Sequence, residues 1–136
     1  MWDDKPREEC GVFGIFAPGE DVARLTFFGL YALQHRGQES AGIAASDGTR
    51  ISLRTGLGLV AQAFAEEDLR GLSGALAVGH ARYSTSGSNR ACNAGPILAQ
   101  SDIGPVCVAH NGNLTNALSL RDDLEERGEV FRSSTD

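Results

Sequence analysis

One segment limits the possible folds most strongly. Residues 21–34, DVARLTFFGLYALQ, read as a long helix that is apolar on almost every side. Such a helix must be covered on more than one side or pressed firmly onto a sheet. The segment GVFGIF at 11–16 reads as a strand, and the turn and acidic residues that follow it are typical of a helix start. The chain is therefore predicted to begin with a strand and a helix packed in layers.

The remaining segments predict more strands and two further helices. Residues 41–60 indicate a hairpin that turns at the Asp-Gly of SDGT, 46–49, and polar residues 65–74 favour a short helix. ALAVGHARYST at 75–85 and PVCVAHNG at 105–112 predict two core strands. The last helix is expected at 115–127, with Gly128 as its stop. This order predicts an α+β layered domain with antiparallel pairing where connections are short.

Composition excludes several classes of function. The 136 residues correspond to roughly one domain, and the net charge of -6 without a basic run argues against a nucleic-acid partner. No apolar run approaches the roughly 20 residues of a membrane span, and the leader MWDDKPREE has no signal-peptide core, so no membrane partner and a cytoplasmic location are expected. Three cysteines without a C-x-x-C pair predict neither a disulfide framework nor a metal site.

Cys10 stands where the charged leader gives way to the apolar run. A free cysteine at the start of a strand is most often a small buried side chain. A second interpretation makes residues 1–9 a propeptide. Cleavage after Glu9 would free the α-amine of Cys10, and an α-amine, with an ordinary pKa of about 7.7 to 8.0, is a base built into the nucleophile itself.

Four motifs together resemble one family. CGVFGI at 10–15, LQHRGQESAGI at 33–43, GHARYST at 79–85 and HNGNL at 110–114 resemble the glutamine-dependent amidophosphoribosyltransferases, in the same order along the chain. The first and last motifs alone indicate only the wider class of N-terminal-nucleophile glutamine amidotransferases. QHRGQES narrows the resemblance, because glucosamine-6-phosphate synthases have a different YRG-containing version.

The resemblance implies a fold and an activity. The fold would be the four-layer α/β/β/α sandwich of N-terminal-nucleophile hydrolases, with residues 10–136 as the truncated N-terminal portion of the glutaminase domain and the phosphoribosyltransferase domain absent. The activity would be glutamine hydrolysis that supplies ammonia for making 5-phosphoribosylamine from phosphoribosyl pyrophosphate, the first step of de novo purine synthesis. Mg and, in some members, an iron–sulfur cluster would be held by the missing part of a homo-oligomeric enzyme.

The resemblance also implies roles for the reacting residues. Cys10 would attack the side-chain amide of glutamine to give a thioester and ammonia. Asn111 through its side chain and Gly112 through its backbone N–H would stabilise the oxyanion, where each donor is worth about 3 kcal/mol. An Asn-Gly turn after a strand is the structural alternative for this pair.

Six further residues would bind or enclose the substrate. Arg82 matches the arginine that pairs with the α-carboxylate, although a lone arginine at a strand end is more often a solvated charge. Asp136 matches the aspartate that binds the α-ammonium. The pocket would be lined by Tyr83 and Thr85, whereas Arg36 and Gly37 would position Cys10 and close over glutamine, with a simple polar loop as the alternative.

Two other functions remain open from the sequence. The chain could be the glutaminase part of another N-terminal-nucleophile amidotransferase, such as glucosamine-6-phosphate synthase, in which case the acceptor domain would differ. It could also be a non-catalytic fragment in which the motifs are unused, and retention of the leader on the intact protein would then be expected.

Overall fold

The computed structural model describes residues 10–34, 39–83 and 90–136. These ranges contain six strands: β1 Gly11–Phe16, β2 Ser40–Ser46, β3 Ile51–Leu57, β4 Leu76–Arg82, β5 Ile97–Ser101 and β6 Gly104–Val108. They also contain four α-helices: α1 Val22–Leu33, α2 Val60–Ala63, α3 Glu66–Arg70 and α4 Ala117–Glu126. The mixture of helices and antiparallel strands confirms the predicted α+β class.

A four-stranded sheet with the order β1-β4-β2-β3 forms the centre of the described structure. All its pairs are antiparallel, with β4 between β1 and β2. The side chains of β4 alternate between the two faces of the sheet: Ala77 and Ala81 point into the core, whereas His80 and Arg82 lie on the opposite face. β4 therefore packs into the core with one face and lines a cavity with the other.

Helix α1 packs along one face of this sheet. The side chain of Asp21 caps the helix by accepting a hydrogen bond from the Arg24 N–H at 3.0 Å. Its buried residues are Val22, Ala23, Thr26 and Leu30, whereas Phe28 and Tyr31 on the outer side are 57% and 50% exposed. Of the two arrangements expected for so apolar a helix, the described residues show the one pressed onto a sheet.

The hairpin of β2 and β3 turns where the sequence predicts. The Asp47 carboxylate accepts backbone hydrogen bonds from Arg50 and Thr49, both at 2.8 Å, and these bonds lower the pKa of Asp47. Gly48 has a φ of +92°, which glycine adopts without steric cost. The predicted hairpin is confirmed, but β3 ends at Leu57, and Val60 begins α2 with its side chain fully buried in the core.

The second sheet contains only β5 and β6 among the described residues. β5 is absent from the sequence-based prediction. The prediction of a core strand at 105–112 is wrong in its burial, since every residue of β6 is partly or fully exposed. An apolar run indicates a strand. It does not show whether other parts of the chain pack over that strand and bury it.

Helix α4 matches the predicted last helix, although it is shorter than the expected 115–127. Gly128 follows it with a φ of +95° and donates a hydrogen bond to the Glu125 carbonyl at 2.9 Å, as expected for a helix stop. The apolar residues of α4 reach no core in the described structure, because the helix buries none of its residues. No helix of the described ranges is long and apolar enough to cross a membrane.

The close approach of α1 to β4 depends on Gly79. A Cβ at this position would lie 2.6 Å from Thr26 Cγ2 and 2.9 Å from Leu30 Cδ1, and both residues are fully buried. We expect Gly79→Ala to lower the free energy of unfolding by about 1 to 3 kcal/mol, because α1 must move away from the sheet. Urea-induced unfolding measures the change.

Gly14 on the neighbouring strand is the matched control. The nearest atom to a Cβ there is the Ala77 carbonyl oxygen at 4.0 Å, so Gly14→Ala should leave the stability unchanged or raise it slightly. Equal destabilisation by both substitutions would contradict the packing argument for Gly79.

Candidate active site

Pairing of β1 with β4 brings distant parts of the sequence together at one sheet end. Gly11 pairs with Ala81, so Cys10 lies beside the C-terminal end of β4. Its Sγ donates a hydrogen bond to the Tyr83 carbonyl at 3.2 Å and accepts one from the Tyr83 N–H at 3.3 Å, across a sequence separation of 73. These contacts hold the sulfur at the end of the sheet.

A cavity of about 250 Å³ opens beside Cys10. Five of the residues predicted for the site line it: Cys10, Arg82, Tyr83, Gly112 and Asp136. Its volume lies just below the roughly 300 to 1,000 Å³ of pockets for drug-sized ligands, so it suits a molecule the size of an amino acid.

The cavity wall carries side chains of opposite charge. Arg82, which is 4% exposed, and Asp136 both line the cavity, so that a residue with a guanidinium and a residue with a carboxylate belong to its wall. A guanidinium pairs well with a carboxylate, and a carboxylate pairs well with an ammonium group. The cavity can therefore bind a small zwitterion next to a thiol.

The loop after β6 reaches the cavity through Gly112. Asn111, the other predicted oxyanion donor, is exposed and does not line the cavity. The Leu114 N–H donates a hydrogen bond to the Asp136 carboxylate. This bond ties the loop to the segment that carries the predicted ammonium-binding group.

Three predicted site residues lie outside the described ranges. Thr85 falls between the second and third described ranges, and Arg36 and Gly37 fall between the first and second. Their expected roles in lining and closing the pocket stay predictions.

Sequence analysis missed several residues that line the cavity, notably His80, Asn93 and His110. Because residues two apart in a strand lie on the same face, the sequence places His80 on the face of Arg82. This pattern could have identified His80 as a cavity residue. Asn93 gave no such signal, because its partner Ser134 is 41 positions away. Within the described residues no three His, Cys, Asp or Glu side chains are grouped to hold a metal ion.

Comparisons with known proteins agree with the four motifs. No protein-family model matches the chain. The amidophosphoribosyltransferase of Synechococcus elongatus is 56% identical over 133 residues, which are 98% of this chain and 27% of that protein. The amidophosphoribosyltransferase of Synechocystis sp. is 58% identical over 134 residues, with the same two coverages. The chain belongs to the amidophosphoribosyltransferase family.

A solved structure supports the same relationship. The glutamine phosphoribosylpyrophosphate amidotransferase from B. subtilis, complexed with ADP and GMP, matches with a TM-score of 0.82 and 42% identity over 92% of this chain and 27% of that chain. The match confirms the N-terminal-nucleophile hydrolase fold, present in part. The chain spans about a quarter of the length of these relatives and matches their N-terminal part.

His80 is a buried polar residue of the cavity wall. It is 6% exposed, and neither ring nitrogen has a hydrogen-bond partner among the described residues. The ring packs against Gly95, where a Cβ would lie 2.3 Å from His80 Nδ1. Burial first, then the charges of Arg82 and His110, lower the pKa of His80 from 6.5 to about 4. The side chain is therefore neutral at physiological pH.

This shift predicts an acid-sensitive fold. Between pH 6.5 and about 4 the unfolded chain binds a proton at His80 that the folded chain excludes. The free energy of unfolding should therefore fall with decreasing pH by up to about 1.4 kcal/mol per pH unit from this residue, and the decline should end below the folded pKa. Denaturant unfolding at a series of pH values should show a shallower slope for His80→Gln than for the unsubstituted protein. Identical slopes would exclude His80 as the cause.

Proposed function

We propose that this chain is the glutamine-hydrolysing part of an amidophosphoribosyltransferase, with Cys10 as the nucleophile. One observation carries the proposal: the Cys10 thiol, the Arg82 guanidinium and the Asp136 carboxylate line a single cavity of amino-acid size. A thiol alone would fit many structural roles. A thiol between groups that bind the two charged ends of a free amino acid fits an enzyme acting on that amino acid's side chain.

The thiol needs a base for the attack. Cleavage between Glu9 and Cys10 removes the propeptide, residues 1–9, and frees an α-amine that takes the thiol proton. The sulfur then bonds to the side-chain amide carbon of glutamine, and the proton passes to the leaving nitrogen, which departs as ammonia. Water hydrolyses the resulting thioester to glutamate and restores the thiol.

The tetrahedral intermediate needs hydrogen-bond donors for its oxyanion. The N–H of Gly112 at the cavity wall is one donor, and the side-chain amide of Asn111 is the second once it turns inward from its exposed position. Catalytic hydrogen bonds commonly form only in the substrate complex, so the exposed position of Asn111 is compatible with this role.

Recognition of free glutamine uses the two charged groups. Arg82 binds the α-carboxylate and Asp136 the α-ammonium, so that the amide carbon of the substrate reaches the Cys10 sulfur. Tyr83 contributes to the wall, while Thr85, Arg36 and Gly37 complete and close the site. A glutamine residue inside a protein lacks both charged groups and would be rejected.

The remaining assignments concern the whole protein. Ammonia released here would react with phosphoribosyl pyrophosphate in a phosphoribosyltransferase domain to give 5-phosphoribosylamine, at the start of purine synthesis. That domain would hold Mg and, if present, the iron–sulfur cluster. A cytoplasmic homo-oligomer is proposed for the full-length enzyme.

The nucleophile is tested by Cys10→Ala in the full-length protein. Glutamine hydrolysis should be abolished, because no other group can form the thioester, whereas synthesis from added ammonia should persist, since the second domain needs only the free amine donor. Activity assays with each nitrogen source measure both. Cys92→Ala is the matched control, because that cysteine is exposed and lies outside the cavity wall.

Two outcomes would contradict the assignment of Cys10. Residual glutamine hydrolysis by Cys10→Ala would remove it as nucleophile. N-terminal sequencing of active unsubstituted protein should begin at Cys10, and a start at Met1 in active protein would contradict the role of the freed α-amine as the base.

Binding of the α-carboxylate is tested by Arg82→Ala. Loss of one partner of a partly buried charge pair costs roughly 2 to 5 kcal/mol, so the KM for glutamine should rise by one to three orders of magnitude. Iodoacetamide should still label Cys10, because it needs no carboxylate contact. Arg54→Ala is the control, since Arg54 is half exposed and pairs with Asp68 at 3.8 Å. An unchanged KM in Arg82→Ala would remove Arg82 from the site.

A further inference from the structure

Residues 131–136 form one wall of the cavity and end in the carboxylate of Asp136. Ser133, Thr135 and Asp136 line the cavity, although this segment has no regular secondary structure. An irregular segment has no ladder of backbone hydrogen bonds to fix it, so its position depends on contacts with other parts of the chain, among them the bond from the Leu114 N–H to the Asp136 carboxylate. Two residues from distant parts of the sequence supply such contacts.

Arg121 holds one edge of the segment. From α4 its Nη2 donates hydrogen bonds to the Ser133 carbonyl at 2.9 Å and the Thr135 carbonyl at 3.2 Å. The Arg121 Cζ also lies 4.2 Å from the ring centroid of Phe131. Its side chain is only 24% exposed. The Arg121 guanidinium therefore contacts every second residue of the segment, namely Phe131, Ser133 and Thr135. It does so through a cation–π contact and two charge-assisted hydrogen bonds.

Asn93 holds the opposite edge. Its Oδ1 accepts a hydrogen bond from the Ser134 N–H at 2.7 Å, and its Nδ2 donates one to Ser134 Oγ at 2.8 Å. Asn93 is 1% exposed, so its amide has a fixed direction. The bonds to residue 134 alternate with the Arg121 bonds to residues 133 and 135, as the two edges of an extended chain require.

The contacts of Arg121 are not needed for packing of α4 into a core. That helix buries no residue in the described structure, and the arginine at its C-cap, Arg127, pairs with the exposed Asp123 of the same helix at 2.7 Å. The difference between the two arginines shows what Arg121 adds. It connects a surface helix to the wall of the candidate active site.

We propose that Arg121 and Asn93 are positioning residues that fix segment 131–136, so that the Asp136 carboxylate stands where the α-ammonium of glutamine binds. The inference rests on the proposed function, because it assigns these residues to the binding of that substrate. An anchor displaced by about 1 Å loses much of its contribution to orientation. Arg121 lies outside the cavity wall and acts on binding through Asp136, whereas Asn93 lines the cavity and positions the segment through its two bonds to Ser134.

The test uses the full-length enzyme and the substitution Arg121→Ala. The KM for glutamine should rise at least about tenfold, as expected when charge-assisted hydrogen bonds are lost, while the kcat at saturating glutamine changes less than about twofold. Arg121→Lys keeps the charge but not the planar fork and should give an intermediate KM. Arg127→Ala, six positions along the same helix, should leave both constants unchanged.

Labelling of Cys10 separates positioning from general damage. A diazoketone analogue of glutamine, which carries the α-ammonium, should label Arg121→Ala at least about tenfold more slowly than the unsubstituted enzyme at subsaturating concentration. Iodoacetamide, which lacks an ammonium group, should label both at the same rate. Equal slowing with the two reagents would mean that the substitution disturbs the whole site, and it would overturn the proposal.

Asn93→Ser provides an independent test from the other edge, since the shorter side chain cannot make both bonds to Ser134. It should also raise the KM for glutamine and slow the analogue selectively. Unchanged analogue labelling in Arg121→Ala and Asn93→Ser, with normal labelling of the unsubstituted enzyme, would overturn the positioning role alone. Failure of the analogue to label Cys10 in the unsubstituted enzyme would instead overturn the proposed function.

Discussion

Six residues of β1 pair in register with six residues of β4, and the geometry of the candidate active site follows from this pairing. The register places Cys10 beside the end of β4, where the backbone of Tyr83 contacts its sulfur from two sides. A slip by one residue would turn every side chain of one strand to the other face. Arg82 would then point towards α1, and its guanidinium would be lost from the cavity.

The two faces of the sheet meet two different requirements, close packing of α1 on one face and polar groups at the cavity on the other. On one face small residues such as Gly79 and Ala81 allow α1 to approach closely. On the other face the same strand presents His80 and Arg82 to the cavity. Because the period of a strand is two, the side chains that meet these two requirements lie on different faces of the same strand. A rigid, well-packed strand can therefore carry polar groups that a flexible loop would position less accurately.

Short sequence patterns predicted those turns, helices and helix ends that depend only on neighbouring residues. The Asp-Gly turn fixed the hairpin at Asp47, the apolar run from Val22 required a helix on a sheet, and Gly128 ended the last helix. Exposure of β6 and the existence of β5 could not be predicted, because they depend on what the rest of the chain covers. The candidate site residues came from the resemblance, whereas the contacts of Asn93 with Ser134 and of Arg121 with Ser133 join positions that share no motif.

Because Gly79 has no side chain, the packing of α1 on one face of the sheet is connected to the cavity on the other face through the backbone of β4. The distance between α1 and β4 is set by direct contact of buried Thr26 and Leu30 with the strand backbone at this glycine. Three positions further along, the same strand presents Arg82 and then the backbone that holds the sulfur. A shift of the helix layer is therefore transmitted along β4 to both groups. Under the proposed function, glutamine would contact only the cavity face of the sheet, yet the packing on the helix face would also affect how accurately it binds.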